Sequence, residues 1–302
     1  MLQGTLFDIR RYAINDGPGI RNTLFFKGCN LRCSWCHNPE GISPHPVKMF
    51  TASKCIGCGT CAIHCPVNAL IIAGDKPATD RALCRQCGTC ARVCPSGATL
   101  MAGQGYTTEA AMTIILKDQV LYLESGGGVT FSGGEPLLQH EFLLALLKEC
   151  GMHGIHRAVD TAGNVPSSLL NEVAGYTDLF LYDLKIMDEA LHRRWTGVSN
   201  RSILKNLKLL SKWQKKIHIR IPLIGGINDD VENISATAQF LVTLPHPVGE
   251  VSLLPYHSIG GQKYQKLAME GKIVEFNEPT AEAVASASKI FHRAGIPVIT
   301  GG

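Results

Sequence analysis

Residues 16–39 read DGPGIRNTLFFKGCNLRCSWCHNP and place Cys29, Cys33 and Cys36 at C-x3-C-x2-C spacing. Thiolates bind soft metals and iron–sulfur clusters, but a tetrahedral zinc site or an ordinary four-iron cluster needs a fourth ligand. Residues 22–27 are predicted to form an apolar strand, so the cysteines follow its C-terminal end, where α/β folds bind their ligands. The stretch therefore predicts an iron–sulfur centre with one iron left open to a small molecule.

The residues around this loop resemble a known family. The three cysteines, with Trp35 directly before the third, resemble the cluster loop of the radical S-adenosylmethionine (SAM) enzymes. The segments DGPGIR at 16–21, KGC at 27–29 and CHNP at 36–39 resemble the signature of the activating enzymes of glycyl radical enzymes. This resemblance extends over nearly the whole chain. It implies a radical SAM oxidoreductase that activates a partner enzyme.

The resemblance implies a reaction in which no protein side chain acts as an acid or a base. An electron from the cluster at Cys29, Cys33 and Cys36 cleaves SAM to methionine and a 5′-deoxyadenosyl radical. This radical takes a hydrogen atom from a backbone glycine of a partner glycyl radical enzyme. The protein is expected to contribute orientation, exclusion of water and tuning of the cluster.

Two other interpretations of the loop are open. Residues 33–37 also spell C-x-x-C-H, the attachment pattern of c-type haem, which requires export to an oxidising compartment. Residues 1–15 lack the apolar segment of a signal peptide, which argues against export. A zinc site would need His37 as its fourth ligand, and its position next to Cys36 makes tetrahedral coordination awkward.

A second cysteine-rich stretch is an internal repeat. The pattern C-x2-C-x2-C-x3-C-P occurs twice, 29 positions apart. It is typical of ferredoxins with two four-iron clusters, in which the fourth cysteine of each run binds the other cluster. The two clusters are therefore assigned to Cys55, Cys58, Cys61 and Cys94, and to Cys84, Cys87, Cys90 and Cys65. A pair of structural zinc sites is the alternative, although zinc ribbons space their cysteines as two separated pairs.

These assignments predict three [4Fe-4S] clusters, one that binds SAM and two that are auxiliary. Gly59 and Gly88 lie where the chain is expected to wrap tightly around each auxiliary cluster. By analogy, the auxiliary clusters relay electrons from a flavodoxin or ferredoxin to the SAM cluster, or form part of a docking surface. An insert of this type points to a partner of the dehydratase, decarboxylase or lyase type.

The rest of the sequence alternates between apolar strands and helices. Strands are predicted at 5–13, 22–27, 128–132, 155–160, 179–184, 217–223, 251–255 and 296–300. Helices are predicted at 108–123, 140–152, 166–174, 202–213, 233–242 and 280–294. Repeated strand–helix units imply parallel strands with right-handed crossovers. We therefore expect an α/β fold, a partial (β/α)6 radical SAM barrel at 1–48 and 101–302, with a ferredoxin-like dicluster module inserted at 49–100.

Polar residues follow the later strands, at the ends where a ligand is expected. In the motif SGGEP at 132–136 the glycines let the backbone approach a ligand, and Glu135 can accept hydrogen bonds from an ammonium group. The resemblance implies a set of SAM contacts: Trp35, Gly133, Gly134, Glu135, Asp160, Asp183, Lys185, Arg220 and His257. It further implies a monovalent cation held near three residues: Asp160, Thr161 and Asp183. A last family segment, without an assigned role, comprises His192, Thr196 and Gly197.

Composition and charge restrict the remaining possibilities. The 302 residues carry a formal charge of +4 without a basic run interleaved with aromatic residues, so nucleic acid is not an expected partner. No apolar run reaches the roughly 18 residues of a membrane span, so no membrane is expected. All of the 12 cysteines except Cys150, an expected packed thiol, fall in cluster motifs, which indicates the reducing cytoplasm. The alternative functions are an iron–sulfur electron carrier and a radical SAM enzyme with another substrate.

Overall fold

The computed structural model describes residues 2–269, 271 and 274–301. The strands are β1 (Gln3–Ala13), β2 (Arg21–Phe26), β3 (Val47–Phe50), β4 (Leu70–Ala73), β5 (Lys76–Thr79), β6 (Thr99–Ala102), β7 (Gln104–Thr107), β8 (Gly128–Gly133), β9 (His156–Thr161), β10 (Leu179–Asp183), β11 (Ile217–Leu223), β12 (Glu250–Pro255) and β13 (Val298–Thr300). The helices are α1 (Thr60–Ile63), α2 (Thr89–Arg92), α3 (Thr108–Leu116), α4 (Gln119–Ser125), α5 (His140–Met152), α6 (Ser167–Ala174), α7 (Glu189–Thr196), α8 (Arg201–Lys212), α9 (Val231–Val242), α10 (Gly261–Lys266) and α11 (Ala281–Arg293).

One large sheet forms the body of the described chain, with strand order β13-β12-β11-β10-β9-β8-β2-β1-β7. The strands from β13 to β2 in this order pair in parallel, whereas β1 is antiparallel to both β2 and β7. Because β13 and β7 are its edges, the sheet does not close on itself within the described residues. The predicted partial (β/α)6 architecture is confirmed, with β2 and β8–β12 as its six strands. The short antiparallel strand β7 was not predicted.

The alternation within β11 shows how the sequence divides the two faces of the sheet. Ile217, Ile219 and Ile221 are buried in the main hydrophobic core beneath the helices. Arg220 and Pro222 alternate with them and line a cavity on the opposite face. Because side chains of a strand point alternately to its two faces, apolar packing on one face fixes the direction of the arginine on the other.

The helices cover the sheet with apolar stripes. In α8, Ile203, Leu207 and Leu210 recur three or four positions apart and are all buried. Burying each such side chain contributes about 1.5–3 kcal/mol to folding. Cys150, in the last turn of α5, is fully buried against the Met112 sulfur at 3.8 Å, so the structure confirms a packed thiol.

The predicted continuous helix at 108–123 is wrong, because the helix ends after Leu116 and a new one starts at Gln119. Asp118, between the two, turns inward and is 3% exposed. Its carboxylate accepts hydrogen bonds from Arg11 Nε (2.7 Å) and Asn22 Nδ2 (2.9 Å). These charge-assisted bonds from β1 and β2 outweigh the helical bonds lost at the break, and helix periodicity does not reveal them.

The cysteine-rich insert is attached to the body by one antiparallel strand pair. β3 pairs with β6 from Val47 opposite Ala102 to Phe50 opposite Thr99, and β4 pairs with β5 in a separate hairpin. β3 therefore begins before the predicted insert, and β6 ends after it. The bounds of the insert at 49–100 stay a prediction. Among the described helices, none is long and apolar enough to cross a membrane.

Candidate active site

The cysteine loop after β2 is held by backbone hydrogen bonds to the turn that follows it. Gly28 N donates to Gly41 O (2.8 Å), and Cys29 N donates to Ile42 O (3.0 Å). The loop therefore closes on itself before any ligand is bound.

The C-terminal end of α7 supports the other side of the loop. Arg32 N donates to Thr196 O at 2.7 Å. The Thr196 hydroxyl donates to His192 O (2.8 Å), and Gly197 ends the helix with a φ of +81° that favours glycine. The segment to which the sequence assigned no role thus holds the cysteine loop in place.

A cavity of about 450 Å³ lies between this loop and the carboxyl ends of the parallel strands. The predicted site residues that line it are Cys29, Cys33, Trp35, Cys36, Gly133, Gly134, Asp160, Thr161, Asp183, Lys185, Arg220 and His257. Among the predicted SAM contacts, Glu135 is the one that does not line it. The fold therefore brings together three thiols and two pairs of opposite charges from the ends of four strands, β2, β9, β10 and β11.

The first charged pair is Lys185 with Asp183, whose Nζ and Oδ2 lie 2.7 Å apart. Burial by itself lowers the pKa of Lys185, but the Asp183 carboxylate and Cys33 raise it more, so the net shift is upward. The ammonium group therefore stays charged beside the cysteine loop.

The second charged pair is Arg220 with Asp160, at 3.3 Å between Nη1 and Oδ2. The Asp160 carboxylate raises the pKa of Arg220, whereas burial raises the pKa of Asp160 to about 6 against the effect of Arg220. The Ser132 hydroxyl donates to Asp160 Oδ2 at 2.6 Å. Asp16 Oδ1 also lies 3.6 Å from Arg220 Nη1. Asp16 belongs to the DGPGIR segment, and the sequence analysis assigned no individual role to it. Its contact with Arg220 arises because the fold brings this segment next to β11.

Glu135 is fully buried behind the cavity wall. Its carboxylate accepts hydrogen bonds from the Thr161 hydroxyl (2.8 Å to each oxygen), Ala162 N (3.1 Å) and Leu137 N (3.3 Å). Burial raises the pKa of Glu135 to about 7 despite these bonds. The side chain thus joins the ends of β8 and β9, while the two glycines before it face the cavity.

Gly134 is required for the close approach of β8 to the cysteine loop. A Cβ at this position would lie 2.1 Å from Gly28 O and 2.9 Å from Gly41 O, both backbone atoms. Gly134 N donates to Phe26 O (2.8 Å), and Glu135 N donates to Gly28 O (2.7 Å). The Gly-Gly pair therefore fixes the distance between the two walls of the cavity.

Aromatic rings form one rim of the cavity. The His37 ring centroid lies 4.6 Å from that of His257 and 5.3 Å from that of Tyr256. Burial lowers the pKa of His37, and among the described residues no group hydrogen-bonds to its buried Nε2. The sequence analysis considered His37 as a zinc ligand and as part of the haem pattern and the CHNP segment, and it did not single out Tyr256. A flat polar ring with hydrogen-bonding edges fits this rim.

The donor set fits an open-cornered iron–sulfur cluster. Burial raises the pKa values of Cys29 and Cys36 to about 12, so cations must replace the protons of these thiols. A zinc site requires four ligand atoms that converge on one ion, and the cysteines of this loop supply three. In a cubane each thiolate binds a separate iron, so such convergence is not needed.

The insert contains two further cysteine-lined cavities, related by the sequence repeat. One is lined by Cys55, Cys58, Cys61 and Cys94, and the other by Cys65, Cys84, Cys87 and Cys90. The sulfur groups are therefore arranged as in the crossed assignment made from the sequence. Gly59 and Gly88 precede α1 and α2 with φ of +71° and +77°. These positive φ angles favour glycine at both positions, and tight wrapping around the clusters stays a prediction.

Comparisons with known proteins agree with this arrangement. A sequence model of the radical SAM superfamily matches residues 102–238, and one of the 4Fe-4S dicluster domain matches residues 54–98. The chain is 40% identical to the trans-4-hydroxy-L-proline dehydratase activating enzyme of Clostridioides difficile, over 98% of this chain and 99% of that protein. It is 38% identical to the (2S)-3-sulfopropanediol dehydratase activating enzyme of Klebsiella oxytoca, over 99% and 97%.

A solved structure shows the same relationship. A domain of a pyruvate-formate lyase-activating enzyme from Bacteroides vulgatus is 40% identical to this chain, with a TM-score of 0.52. It covers 59% of this chain, and 100% of that domain is matched. The chain belongs to the activating enzymes of glycyl radical enzymes, within the radical SAM superfamily. It is thus an oxidoreductase of a family that uses SAM and a 4Fe-4S cluster and acts on glycyl radical enzymes, and the dicluster match indicates further clusters.

Proposed function

We propose that Cys29, Cys33 and Cys36 hold the cluster of this activating enzyme and that SAM binds in the adjoining cavity. The observation that carries this proposal is the convergence of three thiols and the pairs Lys185–Asp183 and Arg220–Asp160 on one cavity. A SAM molecule carries both an ammonium and a carboxylate group, so cavity walls with both signs of charge suit it. Its volume of about 450 Å³ is within the usual range for small-molecule sites.

The roles of the individual side chains follow from their charge. The Lys185 ammonium and the Arg220 guanidinium would attract the SAM carboxylate, and the Asp160 and Asp183 carboxylates would accept hydrogen bonds from its amino group. Glu135 acts indirectly, because it fixes the wall formed by Thr161 and the glycines. His257 and the neighbouring rings would contact the adenine.

When bound by these cysteines, the cluster would supply the electron for cleavage of SAM to methionine and a 5′-deoxyadenosyl radical, which would take a hydrogen atom from a glycine of the partner. The apolar part of the cavity lining would limit the access of water to this step. Trp35 is 6% exposed and packs with Ile186 and Ile224 beneath the cysteine loop. Leu31 and Ile42 add further apolar lining. A dry cavity prevents loss of the radical to solvent.

A monovalent cation beside Asp160, Thr161 and Asp183 is part of the proposal. Burial and, to a smaller extent, the nearby Asp183 carboxylate raise the pKa of Asp160 to about 6. A cation between the Asp160 and Asp183 carboxylates would lower the free-energy cost of keeping both ionised. SAM binding measured with potassium present and with potassium replaced by a large organic cation tests it, and equal affinities would exclude the ion.

We further propose that the partner is a glycyl radical enzyme of the dehydratase, decarboxylase or lyase type. The relatives with matching length include activating enzymes named for a dehydratase and a decarboxylase. The insert would carry two [4Fe-4S] clusters that relay electrons from a flavodoxin or ferredoxin. Anaerobic mixing with a glycyl radical enzyme encoded beside this chain, followed by electron paramagnetic resonance, should detect a glycyl radical on that protein.

Removal of one cysteine tests the central proposal. Under anaerobic reduction with dithionite, the reconstituted protein should convert SAM to 5′-deoxyadenosine. Cys33→Ala should abolish this conversion and lose the iron of one cluster, with the other two retained. Cys150→Ala, which removes a cysteine outside the cluster motifs, is the matched control and should keep all the iron. If Cys33→Ala still cleaves SAM, the assignment of the site is refuted. If the unaltered protein does not cleave SAM, the remaining interpretation is an iron–sulfur electron carrier.

A further inference from the structure

Lys263, in α10, contacts the turn that follows the cysteine loop. Its ammonium group donates to Glu40 Oε1 at 2.6 Å and to Asn38 Oδ1 at 2.8 Å. Lys263 and Asn38 are 225 positions apart in the sequence, so the fold alone brings them together. The mechanism proposed above assigns no role to this contact.

The Glu40 carboxylate is buried and depends on Lys263. Glu40 is 6% exposed, and among the described residues no group hydrogen-bonds to its Oε2. The other cation at this turn, Lys27, donates to the backbone oxygen of Glu40 at 2.5 Å. Loss of the cation from a buried ion pair leaves an uncompensated charge and disturbs the structure around it. Lys263 is therefore the cation that holds the Glu40 side chain, and with it the turn.

The segment before α10 closes on His37 at the rim of the cavity. A Cβ on Gly260 would lie only 3.1 Å from His37 Cδ2, so the two residues are in close contact. The His37 ring also packs against His257, with their centroids 4.6 Å apart. His37 and Asn38 both line the cavity. The contact between Lys263 and Asn38 therefore fixes the residue directly after His37.

The end of α10 is fixed by apolar packing. Leu267 is 4% exposed and packs with Met49 of β3 and Ala102 of β6. A helix of six residues has little stability by itself, so its neighbours determine where α10 lies. The ammonium group of Lys263 is thus presented to the turn from a helix that is anchored on the strand pair of the insert.

We propose that Lys263 is a positioning residue for the adenine part of SAM. It holds the turn at Asn38 and Glu40, and this turn holds the His37 ring against His257. The two rings then form a preorganised surface, so less conformational freedom is lost when SAM binds. This role rests on the proposed SAM site and adds to it the group that orders the rim.

Binding of SAM and of methionine to the reconstituted full chain tests this role. Lys263→Met keeps an unbranched side chain but removes its charge. It should bind SAM about 5- to 20-fold more weakly, whereas methionine, which has no adenine, should bind as in the unaltered protein. Lys263→Arg should restore most of the SAM affinity, because it keeps the charge and the hydrogen-bond donors. Lys266→Met, one turn later in α10, is the matched control and should bind both ligands normally.

Each outcome decides the proposal. Equal SAM affinities in Lys263→Met and the unaltered protein would overturn it. Equal losses for SAM and methionine would also overturn it, because the site as a whole and not its rim would then have changed. Failure of the unaltered protein to bind SAM would instead refute the proposed SAM site, independently of Lys263.

A double variant covers the case in which Lys263→Met does not fold or loses iron. Lys263→Met combined with Glu40→Gln leaves no uncompensated carboxylate in the turn. Once it is loaded with iron, weak binding of SAM with normal binding of methionine supports the proposal. Normal binding of both ligands by this double variant would overturn it.

Discussion

The Thr161 hydroxyl lies 2.8 Å from both carboxylate oxygens of Glu135 and donates to them across 26 positions of sequence. Through this contact the ends of β8 and β9 are joined behind the cavity. The SGGEP motif therefore has two functions in this fold. Its glycines form a wall, and its glutamate fixes that wall to the next strand.

The raised pKa of Glu135 predicts a pH dependence of stability. In the unfolded chain a glutamate ionises near its usual value of 4.5, whereas burial raises the pKa of Glu135 to about 7. The folded protein therefore binds more protons between these values, and stability falls as pH rises through the window, by roughly 3 kcal/mol in all. Glu135→Gln should flatten this decline, measured as the melting temperature of the reconstituted protein between pH 5 and 7.5. Glu141→Gln, at an exposed position of α5, should retain the full slope, and an equal slope in Glu135→Gln would contradict the assignment.

The close approach at Gly134 predicts a severe effect of one methyl group. Gly134→Ala would place a Cβ 2.1 Å from Gly28 O, and backbone must move to relieve the clash. We expect a loss of about 1–3 kcal/mol of stability and of the cluster at Cys29, measured by chemical unfolding and iron analysis. Gly105→Ala, where a Cβ meets nothing within 4 Å, is the control and should keep both. If Gly134→Ala is as stable as the unaltered protein and binds all of its iron, the backbone at this cavity wall can move without loss of the site.

The crossed arrangement of the insert predicts which pairs of cysteines act together. Cys94 and Cys55 line one cavity, and Cys84 lines the other. The double variant Cys94→Ala and Cys55→Ala should therefore lose the iron of one cluster. The double variant Cys94→Ala and Cys84→Ala should lose the iron of two. The reverse result in iron and sulfide analysis would indicate that each repeat binds its own cluster.

The contacts of Arg220 predict a graded series of SAM affinities. Arg220→Ala removes a charged group that lines the cavity, and we expect SAM to bind about 10- to 100-fold more weakly. Asp16→Asn weakens the orientation of Arg220, at 3.6 Å, and its amide oxygen can still accept the hydrogen bond from the Thr23 hydroxyl, so a loss of about 2- to 5-fold is expected. Asp8→Asn, on the exposed part of β1, should bind normally. Equilibrium binding to the reconstituted protein measures all three, and equal losses in Asp16→Asn and Arg220→Ala would mean that Asp16 itself contacts SAM.

Much of the chemistry could be predicted from local sequence. The spacing of Cys29, Cys33 and Cys36, and the two later repeats, limits which metals the cysteines suit before any fold is known. The parallel sheet also follows from repeated strand–helix units, and family membership is confirmed by relatives of matching length. The prediction of one continuous helix at 108–123 is wrong because the helix breaks at Asp118, whose hydrogen-bond partners are on β1 and β2.

The sequence by itself determined the class of cofactor, the order of strands and helices, and the residues at the strand ends, because these depend on spacing and hydrophobic period along the chain. Only the tertiary structure decided that Glu135 supports the cavity wall, that Asp16 reaches Arg220, and that Lys48 lines the cysteine cavity of the second repeat. Each of these depends on the distance between segments far apart in sequence. Such distances follow from the packing of the whole core, and no local pattern encodes them.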